Sequence, residues 1–413
     1  MSPTSTELRE AAADEVVVAR QAIYNPQLET IGYELLFRSG DQNSAQFDDG
    51  VAATQTLINT SFLELGIEQI VGSALAFINL PSNFIELVHH LPQSLQQSVL
   101  EFPIIEAPTS ETLTQINQLV ENGHTIAIDH FCGGNAALPL LKLADYIKVD
   151  IQGTEQNKLS DIVAMAHNNG CQAIALKVES HDEFELCKVL GFDAFQGYFF
   201  NHPNLVKKSV KRSNAAVLLK LIERINDPKS TMENIEQLIA QDVSLSYKLL
   251  RYINCATFAL RREITSIRDA ISYIGLLQIR QWSTLLVISN AAEGKPRELL
   301  VIALIRAHMC QHLAEQSKTL NPDEAFTVGL FSVLDAVMDM SMEDLLDQLP
   351  FTTAIKLALI EQSGDMGRIL AEVIQYEKGE WDDVDQLMFP IEDYAKCFLE
   401  AIFFSEQQLA SLE

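Results

Sequence analysis

The chain has 413 residues, and its 47% hydrophobic content is typical of a globular protein and not of a disordered one. The formal net charge of −27 makes the surface repel nucleic-acid backbones and anionic membranes, so no direct nucleic-acid partner is expected. Residues 1–15 are polar and acidic, which predicts a flexible N-terminus and not a secretory signal. No uncharged apolar run approaches the roughly 20 residues of a membrane-spanning helix, so no membrane insertion is expected. The six scattered cysteines contain no CxxC pair, which indicates reduced thiols in a cytoplasmic protein.

Residues 16–205 alternate short apolar runs with amphipathic helical stretches. Eight runs have strand character: EVVVARQAI, IGYELLF, LAFINL, SVLEF, TIAID, YIKVD, QAIALKV and AFQGYFF. Repeated βα units predict a parallel sheet covered by helices, and eight strands favour a closed (β/α)8-type barrel. A doubly wound open sheet is the alternative, but no GxGxxG turn supports it.

Polar side chains lie where these predicted strands stop. They are Glu34, Asn79, Glu101, Asp129, Lys148, Asp150, Glu179 and Gln196. In a (β/α)8 barrel the C-terminal strand ends surround one mouth, so we expect these side chains to converge there. Acid and amide oxygens suit hard cations such as Mg²⁺ or Mn²⁺, and a lysine among them can contact a phosphate or hold a water. Such a set is suited to metal-assisted phosphodiester hydrolysis.

Residues 206–413 are predicted to form an all-α domain, because apolar residues recur there at helical spacing after a short basic connector. This half contains two histidines, His308 and His312, whose spacing of four places them on one helix face. No third ligand accompanies them, so a partly buried helix face is favoured over a metal site, and no cofactor is expected in this domain.

The motifs of the N-terminal half resemble those of EAL domains, the phosphodiesterase module for cyclic di-GMP. "ELLFR" stands where Glu-Ala-Leu-Leu-Arg is usual, and "INL", "VLEF", "DHF", "IKVD" and "FQGYFF" follow in order. The resemblance implies that Mg²⁺ or Mn²⁺ is held by Glu34, Asn79, Glu101 and Asp129. It also implies that Lys148 lies beside the catalytic water and that Arg38 and Gln196 contact the nucleotide.

Two departures from the EAL pattern concern catalysis. The usual Asp-Asp-Phe-Gly-Thr-Gly is "DHFCGG" here, so His130 replaces an aspartate that helps hold a second metal. Histidine brings no negative charge and suits Mn²⁺, Zn²⁺ or Fe²⁺ better than Mg²⁺, which leaves His130 an open candidate ligand. The usual Glu-Gly-Val-Glu is "LKVE", so Glu179 remains a catalytic candidate while Leu176 replaces a glutamate. Because leucine can neither bind metal nor accept a proton, the sequence predicts impaired catalysis.

The second half, from residue 210 to about residue 400, resembles an HDOD domain, with "AISYIG" and "VGLFSVLD" among the matching stretches. An EAL-like half followed by this module is an architecture of bacterial signalling proteins that control motility or biofilm formation. The resemblance implies that a degenerate EAL domain binds cyclic di-GMP with little or no hydrolysis and that the HDOD domain contacts a protein partner. The alternatives are an active phosphodiesterase that produces linear pGpG and a scaffold that binds no nucleotide. A homodimer stays open.

Overall fold

A computed structural model of the chain describes residues 16–39, 67–80, 97–104, 108–134, 137–199, 212–227, 229–240, 243–254, 264–292, 295–317, 319–381 and 386–412. The chain divides into two compact units. One comprises Met1–Phe200 with Gln375–Lys396, and the other comprises Asn201–Ile374 with Cys397–Glu413. The sequence-based limits of 16–205 and 206–413 stay predictions, and the structure differs from them in grouping Gln375–Lys396 with the first unit. The predicted flexible terminus lies outside the described residues.

The first unit contains a closed barrel of eight strands, which confirms the predicted fold. Its strands neighbour one another in chain order: β1 (Val16–Tyr24), β2 (Thr30–Ser39), β3 (Leu75–Asn79), β4 (Ser98–Pro103), β5 (Thr125–Asp129), β6 (Tyr146–Asp150), β7 (Gln172–Leu176) and β8 (Ala194–Gln196). Each neighbouring pair from β2 to β8 is parallel. The C-terminal ends of these seven strands therefore meet at one end of the barrel, as the sequence predicts.

Strand β1 departs from the predicted all-parallel sheet, because it is antiparallel to both β2 and β8. The cause is the short turn at residues 25–29, which joins β1 directly to β2. The side chain of Asn25 builds this turn by accepting hydrogen bonds from the backbone N–H groups of Gln27 and Glu29, at 3.0 and 2.9 Å. A parallel pair needs a crossover of about a dozen residues or more, so this turn imposes an antiparallel hairpin.

Helices alternate with the strands of the barrel unit: α1 (Ile67–Val71), α2 (Ser110–Glu121), α3 (Leu138–Leu141), α4 (Gln156–Asn168) and α5 (His181–Leu190). Local sequence explains the limits of α5. Ser180 and Glu183 form a reciprocal capping box at its start, and Gly191 takes the left-handed conformation, with φ of 89°, at its end. These signals fix where the chain leaves β7 and where it returns to β8.

The second unit is helical in all its described elements, which confirms the predicted all-α half. The helices of the C-terminal half are α6 (Arg212–Asn226), α7 (Met232–Ala240), α8 (Val243–Ile253), α9 (Ile267–Ile274), α10 (Leu276–Ala291), α11 (Arg297–Gln316), α12 (Pro322–Phe331), α13 (Leu334–Met338), α14 (Met342–Leu346), α15 (Thr353–Glu361), α16 (Gly364–Glu377) and α17 (Ile391–Leu412). Gly329 lets α12 lie on α11, since a Cβ there would sit 2.4 Å from the carbonyl oxygen of Arg306. Of the helices in the described ranges, none is long and apolar enough to cross a membrane.

Candidate active site

The polar residues at the barrel mouth follow from the two-residue period of the strands. One buried apolar cluster inside the barrel includes Phe77, Val99, Ala127, Ile174 and Ala194. Two positions further along the same five strands stand Asn79, Glu101, Asp129, Leu176 and Gln196. Since alternate side chains of a strand share a face, the second set lies directly above the apolar core. Four of its five members are polar, and Leu176 extends the apolar core toward the mouth of the barrel.

Lys148 lies at the centre of the acidic residues. Its Nζ is 2.7 Å from Glu34 Oε2 and donates a hydrogen bond to Glu101 Oε2 at 3.1 Å. Glu101 Oε1 is also only 2.8 Å from Nζ, but it lies off the hydrogen-bonding direction, so this contact is purely ionic. The side chains of Lys148 and Glu101 are 1% and 0% exposed. Charges this deep are stable only when they are paired, which is why the lysine and the two glutamates form one unit.

Two side-chain amides complete the surroundings of Glu34. Asn79 Nδ2 donates to Glu34 Oε1 at 2.5 Å, and Gln196 Nε2 donates to Glu34 Oε2 at 2.6 Å. Gln196 Nε2 also donates to Gln21 Oε1 at 2.8 Å. The bonds from Gln196 link β8 to β1 and β2, while the bond from Asn79 ties β3 to β2. The sequence interpretation missed Gln21, although a glutamine within the apolar run VVVARQAI, at the alternate inward positions, is a usable signal.

The electrostatics of this cluster follow from burial and pairing. Burial raises the pKa of Glu34, but the charge of Lys148 and the hydrogen bonds from Gln196, Lys148 and Asn79 outweigh it and bring the pKa below its usual value. Burial raises the pKa of Glu101 to about 8, since the attraction of Lys148 is countered by repulsion from Glu34 and Asp129. Burial opposes the charge on Lys148, yet Glu101, Glu34 and Asp129 raise its pKa. Lys148 therefore keeps its positive charge beside both glutamates.

The aspartate at the end of β5 pairs with the histidine that follows it. Asp129 Oδ1 accepts from the backbone N–H of His130 at 2.8 Å, and its Oδ2 lies 2.7 Å from His130 Nδ1. The His130 side chain is 62% exposed, and its backbone has φ of 53°. The ring thus turns back to Asp129 at the outer rim of the mouth. Whether it binds a second metal stays a prediction.

The loop after β7 holds the other departing residues. Leu176 is 7% exposed and belongs to the apolar core cluster. Lys177 has φ of 58°, and its Nζ lies 2.6 Å from Asp150 Oδ2. Burial raises the pKa of Asp150, but the hydrogen bonds from Lys177 and from the backbone N–H of Gln152, together with the charge of Lys177, outweigh burial and lower it. Glu179 is exposed, and its backbone N–H donates to Glu183 at the start of α5, so its catalytic role stays a prediction.

The predicted site residues thus fall into distinct groups. Direct contacts join Glu34, Asn79, Glu101, Lys148 and Gln196. Asp129 acts on Lys148 and Glu101 through its charge. Arg38 lies in β2 opposite Val17, but its side chain falls outside the described residues. The roles assigned to all these residues remain predictions.

The donor set agrees in chemistry with one hard divalent cation. Carboxylate and amide oxygens from Glu34, Asn79, Glu101 and Asp129 are the ligands that such cations prefer. Within the described ranges, however, no three acidic, histidine or cysteine side chains are arranged to share one ion. The two glutamates instead share the ammonium group of Lys148. A second cation fits poorly, because Leu176 offers no donor and His130 turns to Asp129.

Comparison with known proteins assigns both halves. The EAL domain family matches residues 6–203, and the HDOD domain family matches residues 213–372. A relative from Vibrio cholerae serotype O1, "Cyclic di-GMP phosphodiesterase CdgJ", is 34% identical over 399 residues, which is 94% of this chain and 92% of that protein. "Uncharacterized protein YuxH" of Bacillus subtilis is 28% identical over 399 residues, 94% of this chain and 97% of that protein.

Solved structures resemble the barrel half. A calcium and cyclic di-GMP complex of Klebsiella pneumoniae BlrP1 is 24% identical with a TM-score of 0.40 and covers 48% of this chain and 57% of its own. The match to CdgJ extends over nearly the full length of both proteins, and the two domain matches lie in the same order as the barrel and helical units. The chain therefore belongs to the family of proteins in which an EAL domain precedes an HDOD domain.

Proposed function

We propose that this protein is a cyclic di-GMP signalling protein whose EAL barrel binds the dinucleotide at its mouth and hydrolyses it weakly or not at all. The observation that carries the proposal is the contrast at the strand ends. Glu34, Glu101 and Lys148 form a buried cluster in which the lysine is paired with both glutamates. The adjoining position on β7 is Leu176, which is packed into the apolar core. The described part of the mouth retains groups for binding, while the side chain at the end of β7 is a leucine that cannot take a proton.

The residues of the mouth have separate roles in this proposal. Glu34, Asn79, Glu101 and Asp129 would hold one Mg²⁺ or Mn²⁺, which when bound polarises a phosphoryl oxygen. Lys148 keeps a positive charge beside these acids and is held in place by both glutamates. Gln196 and Arg38 would contact the nucleotide. Since Gln196 also bonds Glu34, a nucleotide held by this amide would lie close to the acidic cluster.

The helical unit contacts a protein partner in this proposal and needs no metal there. The rings of His308 and His312 stack at 4.0 Å, and the ring of Phe404 lies 4.8 Å from His308. Burial and the neighbouring His312 lower the pKa of His308 to about 4, so its ring is neutral and behaves as part of the core. The cytoplasmic location predicted from the cysteine pattern belongs to this proposal, and a homodimer stays open.

A second candidate function is hydrolysis of cyclic di-GMP to linear pGpG. It is favoured by the name of the relative that is 34% identical over 94% of this chain, a cyclic di-GMP phosphodiesterase. Lys148 and Glu179 would then act in catalysis despite Leu176, and Glu101 would remain a ligand of the cation. Both proposals have cyclic di-GMP as the ligand, and only the second includes formation of pGpG.

Calorimetric titration of the purified full-length protein with cyclic di-GMP, with and without Mn²⁺, tests the proposed function. We expect saturable binding that Mn²⁺ strengthens. Glu34→Gln removes the charge but retains the size of the side chain, and we expect it to weaken binding about tenfold or more, because a charged contact in a buried site is lost. Glu29→Gln, in the hairpin turn at residues 25–29, is the matched control. No saturable binding in either condition would refute the proposal and leave a scaffold without nucleotide.

A further inference from the structure

In the part of the chain that the structure describes, β8 and β1 close the barrel at a seam where they pair over only a short length. Strand β2 pairs with β1 along its full length, from Val16 to Tyr24. Strand β8 has three residues and, in the described part of the chain, pairs with β1 only at Ile23 and Tyr24. The rest of β1 therefore runs beyond the reach of β8. A strand edge without a neighbouring strand presents backbone groups that need other partners.

The open part of the seam lies at the mouth. Because β1 is antiparallel to β2, its first residues lie opposite the last residues of β2, and Val18 pairs with Phe37. The C-terminal end of β2 belongs to the mouth, since β2 is parallel to β3 and delivers Glu34 beside Phe77. Among the described residues, the upper part of β1 thus has no pairing with β8 beside the polar cluster, and this unpaired stretch is here called the gap.

A segment distant in sequence covers this gap. Residues 375–381, here called the rim segment, follow the HDOD match, which ends at residue 372, and group with the barrel unit. The Tyr376 hydroxyl donates a buried hydrogen bond to the carbonyl oxygen of Val18 at 2.7 Å. Tyr376 itself is 2% exposed and is stacked with Tyr394 at 6.1 Å. An edge carbonyl of β1 thus receives the partner that a strand would otherwise supply.

The rim segment also touches both neighbours of β1. A Cβ at Gly379 would sit 2.6 Å from Leu36 Cδ1, so the backbone lies directly against β2, two residues beyond Glu34. Gly379 has φ of 70°, and its N–H closes the turn on the carbonyl of Tyr376 at 3.0 Å. Lys378 places its Nζ 5.4 Å from the centre of the Tyr198 ring, just after β8. One turn therefore spans β2, β1 and the end of β8.

The same three strands carry the hydrogen-bonded side chains of the mouth. Gln196 of β8 bonds Gln21 of β1 and Glu34 of β2 through its single Nε2 group, at 2.8 and 2.6 Å. These bonds hold only while β8, β1 and β2 keep their spacing. In the described chain, strand pairing by β8 does not fix that spacing near the mouth, and the rim segment contacts the same strands.

We propose that Tyr376 and Gly379 are positioning residues for the barrel mouth. The rim segment completes the wall at the β8–β1 seam and holds Glu34 and Gln196 at the separation that cation and nucleotide binding require. Its effect on ligand binding depends on the proposed function. The chain enters the rim segment through α16 and returns through α17, so the segment is also a covalent route from the HDOD half to the mouth.

The test compares full-length Tyr376→Phe and Gly379→Ala with Tyr273→Phe, which removes a hydroxyl from a side chain that is 56% exposed. Hydrogen exchange of peptides covering β1 and β2, without ligand, is the first measurement. Loss of one hydrogen bond should speed β1 exchange about fivefold in Tyr376→Phe, and Tyr273→Phe should match the wild type. Gly379→Ala should speed exchange in β2 as well, because its Cβ meets Leu36 and an L-residue is strained at that φ.

Affinity for Mn²⁺ and for cyclic di-GMP, measured well below the unfolding temperature, is the second measurement. We expect both to weaken about threefold to tenfold in Tyr376→Phe, while α-helical circular dichroism stays unchanged. Wild-type exchange and affinity in both rim variants would overturn the proposal. Faster exchange with unchanged affinity would reduce the segment to a purely structural element and also overturn it. If the wild type binds no cyclic di-GMP, the proposed function fails, while exchange and Mn²⁺ affinity still decide the role of the rim segment.

Discussion

The two sides of the barrel mouth satisfy their polar side chains in different ways. On the side formed by β2, β3, β4, β6 and β8, charged groups are buried and bonded to one another, with Lys148 between Glu34 and Glu101. On the side formed by the loops after β5 and β7, His130 and Lys177 depart from the EAL pattern and are exposed, whereas Leu176, which also departs from it, is buried. His130 and Lys177 both have left-handed backbones and each pairs with an aspartate, Asp129 or Asp150.

This difference separates binding from catalysis. The buried side keeps its geometry because losing Lys148 or one of the glutamates leaves a buried charge without its partner, which costs several kcal/mol. The exposed side is held only by pairs that water screens, each worth about 0–1 kcal/mol. Residues there can change with little cost to folding, and on that side the glutamate of the EAL pattern at position 176 is a leucine in this chain. A barrel can therefore lose hydrolysis while it retains a ligand site.

The largest expected effect comes from removing the central lysine. Lys148→Met leaves Glu34 and Glu101 buried without a cation, so we expect a loss of about 3–5 kcal/mol in the free energy of unfolding of the barrel unit. Urea denaturation followed by circular dichroism measures it. Lys177→Met is the matched control on the exposed side, where about 1 kcal/mol or less is expected. Equal losses of unfolding free energy in the two variants would contradict the claim that buried and exposed ion pairs differ in their contribution to stability.

A gain of activity tests whether the departures from the EAL pattern at residues 130 and 176 limit catalysis. His130→Asp combined with Leu176→Glu restores the acids that the EAL pattern has at both positions. We expect pGpG formation to rise by about 10²-fold or more, the usual contribution of a general base. Chromatography of the reaction with Mn²⁺ measures the product.

His130→Asn with Leu176→Gln is the control, because it adds polar side chains of nearly the same size without charge. An unchanged rate in the acidic double variant would show that the inferred defects are not the limiting ones. A rise in the amide control would mean that polarity, and not proton transfer, had been missing.

A smaller effect is expected at Gln21, which the sequence interpretation missed. Gln21→Leu removes one acceptor of Gln196 but leaves its bond to Glu34. We expect unfolding to become easier by about 1 kcal/mol, the worth of one hydrogen bond, and cyclic di-GMP affinity to weaken by less than about tenfold. Gln27→Leu, in the exposed hairpin turn, is the control. Wild-type affinity in Gln21→Leu would contradict the role of this bridge.

The smallest effect concerns the backbone of Lys177. Lys177→Gly and Lys177→Ala both lose the ion pair with Asp150, so they differ only in backbone preference. With φ of 58° at this position, glycine should be more stable than alanine by about 1 kcal/mol, the reverse of the usual order. Thermal unfolding of the two variants measures the difference. Alanine as the more stable variant would show that this backbone is not left-handed in solution.

Much of this architecture is readable from the sequence because it depends on local periodicity. Alternation within eight apolar runs gives the strands, and the same alternation places Glu34, Asn79, Glu101 and Lys148 on one interior face. The direction of β1 was also accessible, because the turn at residues 25–29 is too short for a parallel connection. The predicted parallel sheet was wrong for this strand alone.

Other features depend on contacts that no local pattern encodes. Val18 and Tyr376 are 358 residues apart in the chain, so neither run of sequence indicates that they meet. Glu179 is exposed next to the capping box of α5, and Glu183 of that box also accepts from its backbone N–H. The turn of His130 back to Asp129 likewise depends on a single positive φ. Tertiary packing and single backbone torsions determine these features.

Single-turnover measurement tests the central claim most directly. Full-length protein in excess over cyclic di-GMP, with Mn²⁺, is quenched over a time course and assayed for bound ligand and for pGpG, with Glu34→Gln in parallel. The account predicts that the dinucleotide is bound but remains intact over many binding half-lives. Rapid conversion to pGpG that Glu34→Gln abolishes would contradict it and would assign the protein to the active phosphodiesterases.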